Sequence, residues 1–136
     1  MSTMRVNIIT PEEVVYDDEA ELIVVRTIDG DRGIMPNHQS MVTGVDIGQI
    51  KINQTNQEHQ VAVSGGYMEV RPDEVTILVA TAEFAEEIDV NRAEAAKERA
   101  EKRLNSNRDD INEKRAEIAL RKALNRLKTT KGRNFE

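Results

Sequence analysis

The chain has 136 residues, with 25 acidic and 19 basic side chains, a net charge of -6, no cysteine and only 3% aromatic residues. Without cysteine it forms neither disulfides nor thiolate metal sites, and no apolar run approaches the roughly 18 residues that a membrane-spanning helix needs. No basic-then-apolar start resembles a signal peptide, so the expectation is a soluble protein kept where it is made, either one domain or a small domain with an appendage.

The first half reads as strands. Met4–Ile9 alternates, Glu21–Arg26 alternates at its edges, and Ile47, Ile50 and Ile52 mark a third strand before a polar loop at Asn53–Gln57. Val61–Val63, Tyr67–Val70 and Val75–Val79 follow, with Gly65-Gly66 read as a tight turn or bulge and Pro72-Asp73 as a turn. Short β-branched segments between turn residues predict an antiparallel β-sandwich or flattened barrel, with an aliphatic core because aromatics are so few. His38 and His59 have no neighbouring metal ligands, and Ser64 lacks the surroundings of a nucleophile.

At Ile88-Asp89-Val90-Asn91-Arg92-Ala93 the pattern changes to a helical period. Asp89 is a natural N-cap, since its carboxylate can accept orphan backbone N–H groups of the first turn. Arg92 then falls at the third helical position, facing the positive end of the helix dipole at a cost of roughly 0.3–1 kcal/mol. Its compensating anion is either Asp89 or something outside the chain. Ala93, Ala96, Ala100 and Leu104 share one helical side, Asn105–Asn107 breaks the run, and Asp109 or Asp110 can cap a second helix. That helix carries Ala116, Leu120, Ala123, Leu124 and Leu127 on one side, so the two helices should fold back as an antiparallel hairpin. The expected division is a sandwich over 1–84, a linker at 85–89, the hairpin at 90–128 and a frayed tail at 129–136.

Charge divides the same way. Residues 1–88 carry 16 acidic and 5 basic side chains, whereas residues 89–128 carry 8 acidic and 12 basic ones. The halves therefore meet different partners. The basic half interleaves acids and has no aromatic residue on which a base could stack, which speaks against nucleic acid. Folding the hairpin about Asn107 sets Arg92 opposite Lys122, with Arg126 just beyond. Arg92 and Arg99 share a face, as do Arg115, Lys122 and Arg126. Cations gathered at the open end of a hairpin make a plausible polyphosphate site.

Three motifs then resemble one family, the epsilon subunits of bacterial F-type ATP synthases. Gly33-Ile34-Met35-Pro36-Asn37-His38 is similar to the family's Gly-Ile-x-Pro-Gly-His turn. Ser64-Gly65-Gly66-Tyr67-Met68-Glu69-Val70 resembles its Ser-Gly-Gly-x-x-Glu-Val strand pair, and Ile88–Ala93 its Ile-Asp-x-x-Arg-Ala nucleotide motif. Their order and spacing cover nearly the whole chain.

The resemblance implies a rotor component rather than an enzyme, peripheral to the cytoplasmic face of a bacterial plasma membrane. It implies that the sandwich binds the gamma subunit and sits on the c-ring through the loop carrying Asp31, Arg32 and His38. It also implies that the hairpin either stays closed or extends toward the alpha and beta subunits of the catalytic head and blocks hydrolysis, its basic second helix (Arg115, Arg121, Lys122) meeting an acidic segment. Closure is expected to be favoured by ATP, with no cofactor required and no metal ligand assigned. Carried over by position, Glu83, Ile88, Asp89 and Ala93 surround base and ribose, while Arg92, Arg99, Lys122 and Arg126 meet the phosphates. Lys122 stands where the family usually has arginine, which keeps the charge but loses the bidentate fork. Arg32 replaces an apolar residue and Asn37 a glycine, and asparagine tolerates the left-handed backbone such a turn requires.

Overall fold

The computed structural model describes residues 2–106 and 110–131. It divides into two compact units, Met1–Phe84 and Ala85–Glu136. Among the described residues of the first unit, seven strands form one hydrogen-bonded sheet: β1 (Met4–Ile9), β2 (Val14–Ala20), β3 (Leu22–Thr27), β4 (Gly30–Ile34), β5 (Met41–Gln54), β6 (Gln57–Val70) and β7 (Glu74–Phe84). Their spatial order is β2-β1-β7-β6-β5-β3-β4. The pairings are antiparallel, as expected of the sandwich, with one addition: β1 and β7 run parallel.

The sheet folds over a single core to which all seven strands contribute. Met4, Val6 and Ile8 of β1, Ile23 and Val25 of β3, Ile34 of β4, Ile50 and Ile52 of β5 and Ile77 of β7 are 1% exposed or less. Edge strand β2 is closed against the end of β5 through the Gln54 amide, whose Nε2 donates to the Tyr16 hydroxyl at 2.8 Å and to the Glu19 carbonyl at 2.9 Å. The tie occupies the Glu19 carbonyl, and the exposed charges of Asp17, Asp18 and Glu19 guard the strand against extension by another chain.

The Gly65-Gly66 pair is neither a turn nor a slip of register, because β6 runs through it and its ladders to β5 and β7 resume in step on either side. What changes there is the buried face. Core positions on β6 are Val61 and Val63 before the pair and Met68 and Val70 after it, and β5 makes the same switch between Val45 and Ile50. The strands turn over together, and β7 comes so close that a Cβ on Gly66 would lie 1.9 Å from the Leu78 carbonyl oxygen. At the same bend a Cβ on Gly48 would meet Arg26 Cβ at 2.5 Å. Sequence alone reads paired glycines as a tight turn or a bulge; here they permit the close approach of a neighbouring backbone.

β2 and β4 were not expected as strands. β2 carries Asp17-Asp18-Glu19 and β4 carries Asp31-Arg32-Gly33, all exposed, so neither shows a continuous apolar face. The Asn53–Gln57 loop is tighter than expected, since β5 extends to Gln54 and β6 begins at Gln57. Asn37 has φ 68°, the left-handed geometry its position requires, and its N–H donates to the Pro72 carbonyl at 2.7 Å.

The second unit begins with a 3-10 turn at Ala85–Glu87, followed by α1 (Val90–Ser106) and α2 (Asp110–Lys131), packed as an antiparallel hairpin. α1 continues through Asn105 and Ser106, where a break was expected, and Ser106 Oγ caps the last turn by donating to the Arg103 carbonyl at 2.8 Å. Asn107 and Asp109 lie outside the described residues. The tail expected to fray from Thr129 is helical to Lys131. Thr129 and Thr130 are buried, and their hydroxyls donate back to the Asn125 and Leu127 carbonyls at 2.7 and 2.6 Å. The remainder of that tail, 132–136, lies outside the described residues.

Candidate functional site

Asp89 caps α1. Its Oδ1 accepts the backbone N–H of Arg92 at 3.1 Å and its carbonyl accepts that of Ala93 at 3.0 Å, starting the helical ladder. The carboxylate is therefore spent on the backbone. No ion pair joins the Arg92 guanidinium to an acid among the described residues, and the side chain is exposed. Of the two compensating anions the sequence allowed, the internal one is not engaged.

The helices meet along a seam of alanines. Ala93, Ala100, Ala116 and Ala123 are 0, 1, 1 and 2% exposed, seven residues apart on each helix, whereas Leu120 and Leu127 are half-buried and Leu124 is 44% exposed. Leu124 thus faces solvent rather than joining the apolar side assigned to it. Antiparallel pairing of these alanines levels Ala93 with Ala123 and Ala100 with Ala116.

That seam fixes where the cations point. Arg92, Arg99, Arg115 and Lys122 each precede a buried alanine by one residue, about 100° back around the helix. Arg103 and Arg126 follow one by three residues, which brings them to about 60° on the same side. Because the second helix reverses both its direction and the side it turns to its partner, the two reversals cancel. All six cations therefore lie on one face of the hairpin.

They fall into two groups. Arg92, Lys122 and Arg126 are within about 6 Å of one another along the hairpin axis near its open end, and Arg99, Arg103 and Arg115 form a second group roughly 13 Å further on, at about 1.5 Å of rise per residue. Arg126 is half-buried and the other five are exposed. Glu94, Glu98, Glu101, Glu113 and Glu117 all fall on the opposite side of the seam by the same angular count. Lys97, Lys114, Arg121 and Lys128 lie on that side too, so it is the acids of the helices, Asp89 apart, that keep to one side, which a plain count of acids and bases hides. Arg103 escaped the sequence reading because its face is defined only once Ala100 is known to be buried.

The remaining site residues are dispersed. Ile88 is 3% exposed at the entrance to α1, beside the cap. Glu83 belongs to the first unit, on β7, where it pairs with Ala62. Asp31 and Arg32 are exposed on edge strand β4, and Asp31 Oδ1 accepts from Arg26 at 3.4 Å. His38 lies in the loop after β4 with Nδ1 2.7 Å from the Gln39 carbonyl. Arg121 is exposed on α2, one residue before Lys122 and on the opposite side of the seam. Ser64 is buried, its hydroxyl held 2.7 Å from that of Thr81 and accepting the Thr81 N–H at 3.0 Å, an arrangement that stitches β6 to β7.

The sandwich has a second surface that no motif announces. Tyr67 pairs with Leu78, Leu78 with Ile9 and Ile9 with Val14, forming one rung across β6, β7, β1 and β2. Gly44 extends the rung on β5, and Ile28 lies over it with its N–H bonded to the Gly44 carbonyl at 3.1 Å. Tyr67 and Ile28 are both 68% exposed, Leu78 51% and Val14 58%. An exposed apolar row of this length marks a contact surface. Near the closed edge, burial and then the Asp18 charge push the Tyr16 phenol up to about 12. Asp18 is held below the usual carboxylate range by the Glu19 N–H and then by Gln54.

Two family models match the chain in tandem. Residues 3–85 match the ATP synthase delta/epsilon chain beta-sandwich domain, and residues 86–131 match the ATP synthase delta/epsilon chain long alpha-helix domain. The ATP synthase epsilon chain of Alkalihalophilus pseudofirmus is 53% identical over 131 residues, covering 96% of this chain and 98% of that one. That of Bacillus subtilis is 53% identical over 127 residues, covering 93% and 96%. A chain in the mitochondrial ATP synthase of Euglena gracilis shares the fold with a TM-score of 0.80 at 24% identity, over 89% of this chain and 77% of that one.

Proposed function

The chain belongs to the family of ATP synthase epsilon chains, and from that premise we propose that its helical unit is a latch held closed by ATP. Membership makes it a non-catalytic subunit of the central stalk of the F-type rotary synthase. The observation that carries the regulatory reading is a face of six cations beside a cap whose carboxylate is already engaged by the backbone. Arg92, Lys122 and Arg126 at the open end, with Arg99 beyond, supply donors for a triphosphate. Ile88 and Ala93 are buried beside the cap, so they would border the base from beneath rather than as an exposed edge, and Asp89 sets the start of the helix that carries Arg92 and Arg99. A triphosphate there offsets the dipole cost of Arg92 and screens repulsion among the cations, effects that exist only while both helices are together.

In the same reading the apolar row through Tyr67 and Leu78 attaches the sandwich to the gamma subunit, and the β4 loop with Asp31, Arg32 and His38 rests on the c-ring. The extended hairpin would present Arg115, Arg121 and Lys122 to the catalytic head and inhibit hydrolysis. The chain would work at the cytoplasmic face of the bacterial membrane as a peripheral component; no described helix is long and apolar enough to cross it.

One observation favours a second reading, in which the hairpin is inhibitory without useful nucleotide affinity. Lys122 presents a point charge where a forked guanidinium would grip two phosphate oxygens. Calorimetric titration of the isolated chain with ATP separates the two. Saturable binding that Arg92→Ala abolishes supports the latch. No heat at millimolar ATP removes nucleotide sensing and leaves the inhibitory role.

A further inference from the structure

The cation face is longer than a nucleoside triphosphate needs. ATP bound as proposed uses Arg92, Arg99, Lys122 and Arg126, which leaves Arg103 and Arg115 on the same face, both exposed and with no ion pair to an acid among the described residues. Between the two cation groups the face carries Ala96 and Ala119, both half-buried and too small to obstruct a ligand lying along the seam. Five of the six cations are arginines, whose planar forks match phosphate oxygens.

We infer that this face binds a linear phosphate chain longer than a triphosphate, namely inorganic polyphosphate, which lies along the hairpin from the Arg92 group to the Arg103–Arg115 group. The inference rests on the reading of this face as a phosphate site and extends it to a second ligand that competes with ATP. A nucleic acid would leave its bases without an aromatic platform. A peptide would depend on apolar contacts, and between the cation groups the face offers only the small half-buried side chains of Ala96 and Ala119. A bare phosphate chain needs neither. Bridging both helices along most of their length, it also holds the hairpin closed, by the same linkage as ATP.

The test titrates the full chain with inorganic tripolyphosphate, long-chain polyphosphate and ATP across a salt series. Long-chain polyphosphate should bind at least tenfold more tightly than tripolyphosphate. Arg103→Ala combined with Arg115→Ala should erase that advantage while leaving tripolyphosphate affinity unchanged. Alanine is the best helix former and both positions are exposed, so the helices persist in the double variant. The salt dependence for the long chain should also fall by about 1.4 in logarithmic slope, since each contact to a flexible phosphate strand contributes roughly 0.7. Equal affinity for the two phosphate probes, or an advantage that survives the double variant, overturns the inference even where ATP binds. Binding of phosphatidylglycerol vesicles that depends on Arg103 and Arg115, without any dependence on phosphate chain length, assigns the face to a lipid surface and overturns it too. Loss of ATP binding with the chain-length effect intact removes the nucleotide reading alone.

Discussion

The two units of this chain are built from different amounts of buried carbon. The sandwich buries Ile8, Ile23, Ile34, Ile50, Ile52 and Ile77 to 0% exposure, while the helical seam rests on four alanines. An isoleucine buries about three more carbons than an alanine, about 2.4 kcal/mol at roughly 0.8 kcal/mol per methylene. The sandwich core is therefore the sturdier of the two, and the proposed latch relies on a seam this thin for a ligand to decide the state of the hairpin. At ten times its dissociation constant a ligand adds about 1.4 kcal/mol, small against the sandwich core but comparable to one helix cap.

The contrast can be broken first in the sandwich. Ile77→Ala removes a fully buried side chain between β1 and β6 and should cost about 4 kcal/mol, read as a lowered denaturant midpoint of the first unit. Gly66→Ala should cost about 3 kcal/mol, because its Cβ would lie 1.9 Å from the Leu78 carbonyl oxygen and two strands must separate. A change under 0.5 kcal/mol there would mean the close approach of β6 and β7 is easily relaxed.

Gly66 also shows what sequence reveals and what it hides. The alternation in β1, β3 and β7 was legible because each presents one apolar face to one core. The glycine pair was read as a turn or bulge because a close backbone approach has the same local composition, and only the neighbouring strand distinguishes them. β2 and β4 were missed because they are edge strands with exposed charges. The Asp89 cap was legible, since capping is local chemistry within four residues. The gathering of Arg92, Lys122 and Arg126 was legible from pairing the helices, but the place of Arg103 beside them was not, because it depends on which alanines are buried. The apolar row was hidden most completely, its members being drawn from strands far apart in the chain.

The helical side of the comparison is sharpened by Asp89. Asp89→Ala should cost about 1 kcal/mol in the helical unit alone, measured by the helical circular dichroism signal during melting, with the sandwich transition unchanged. Asp89→Asn retains an oxygen for the Arg92 N–H and should recover most of that loss. The smallest effect lies in the sandwich. The Tyr16 phenol is raised from 10.0 to about 12 in the fold, so the unfolded chain releases this proton first and stability falls as pH rises through that window. Tyr16→Phe should flatten that decline, and in a Tyr67→Phe background the remaining phenol should ionise near pH 12 by absorbance titration.

The most direct measurement of the central claim is tryptic cleavage of the isolated chain with and without ATP. The hairpin is rich in lysine and arginine, and cleavage there follows the population of its open form. At ten times the dissociation constant, cleavage within α1 and α2 should slow about tenfold, and Arg92→Ala should abolish the protection. Cleavage unchanged by millimolar ATP in the unaltered chain would contradict the latch.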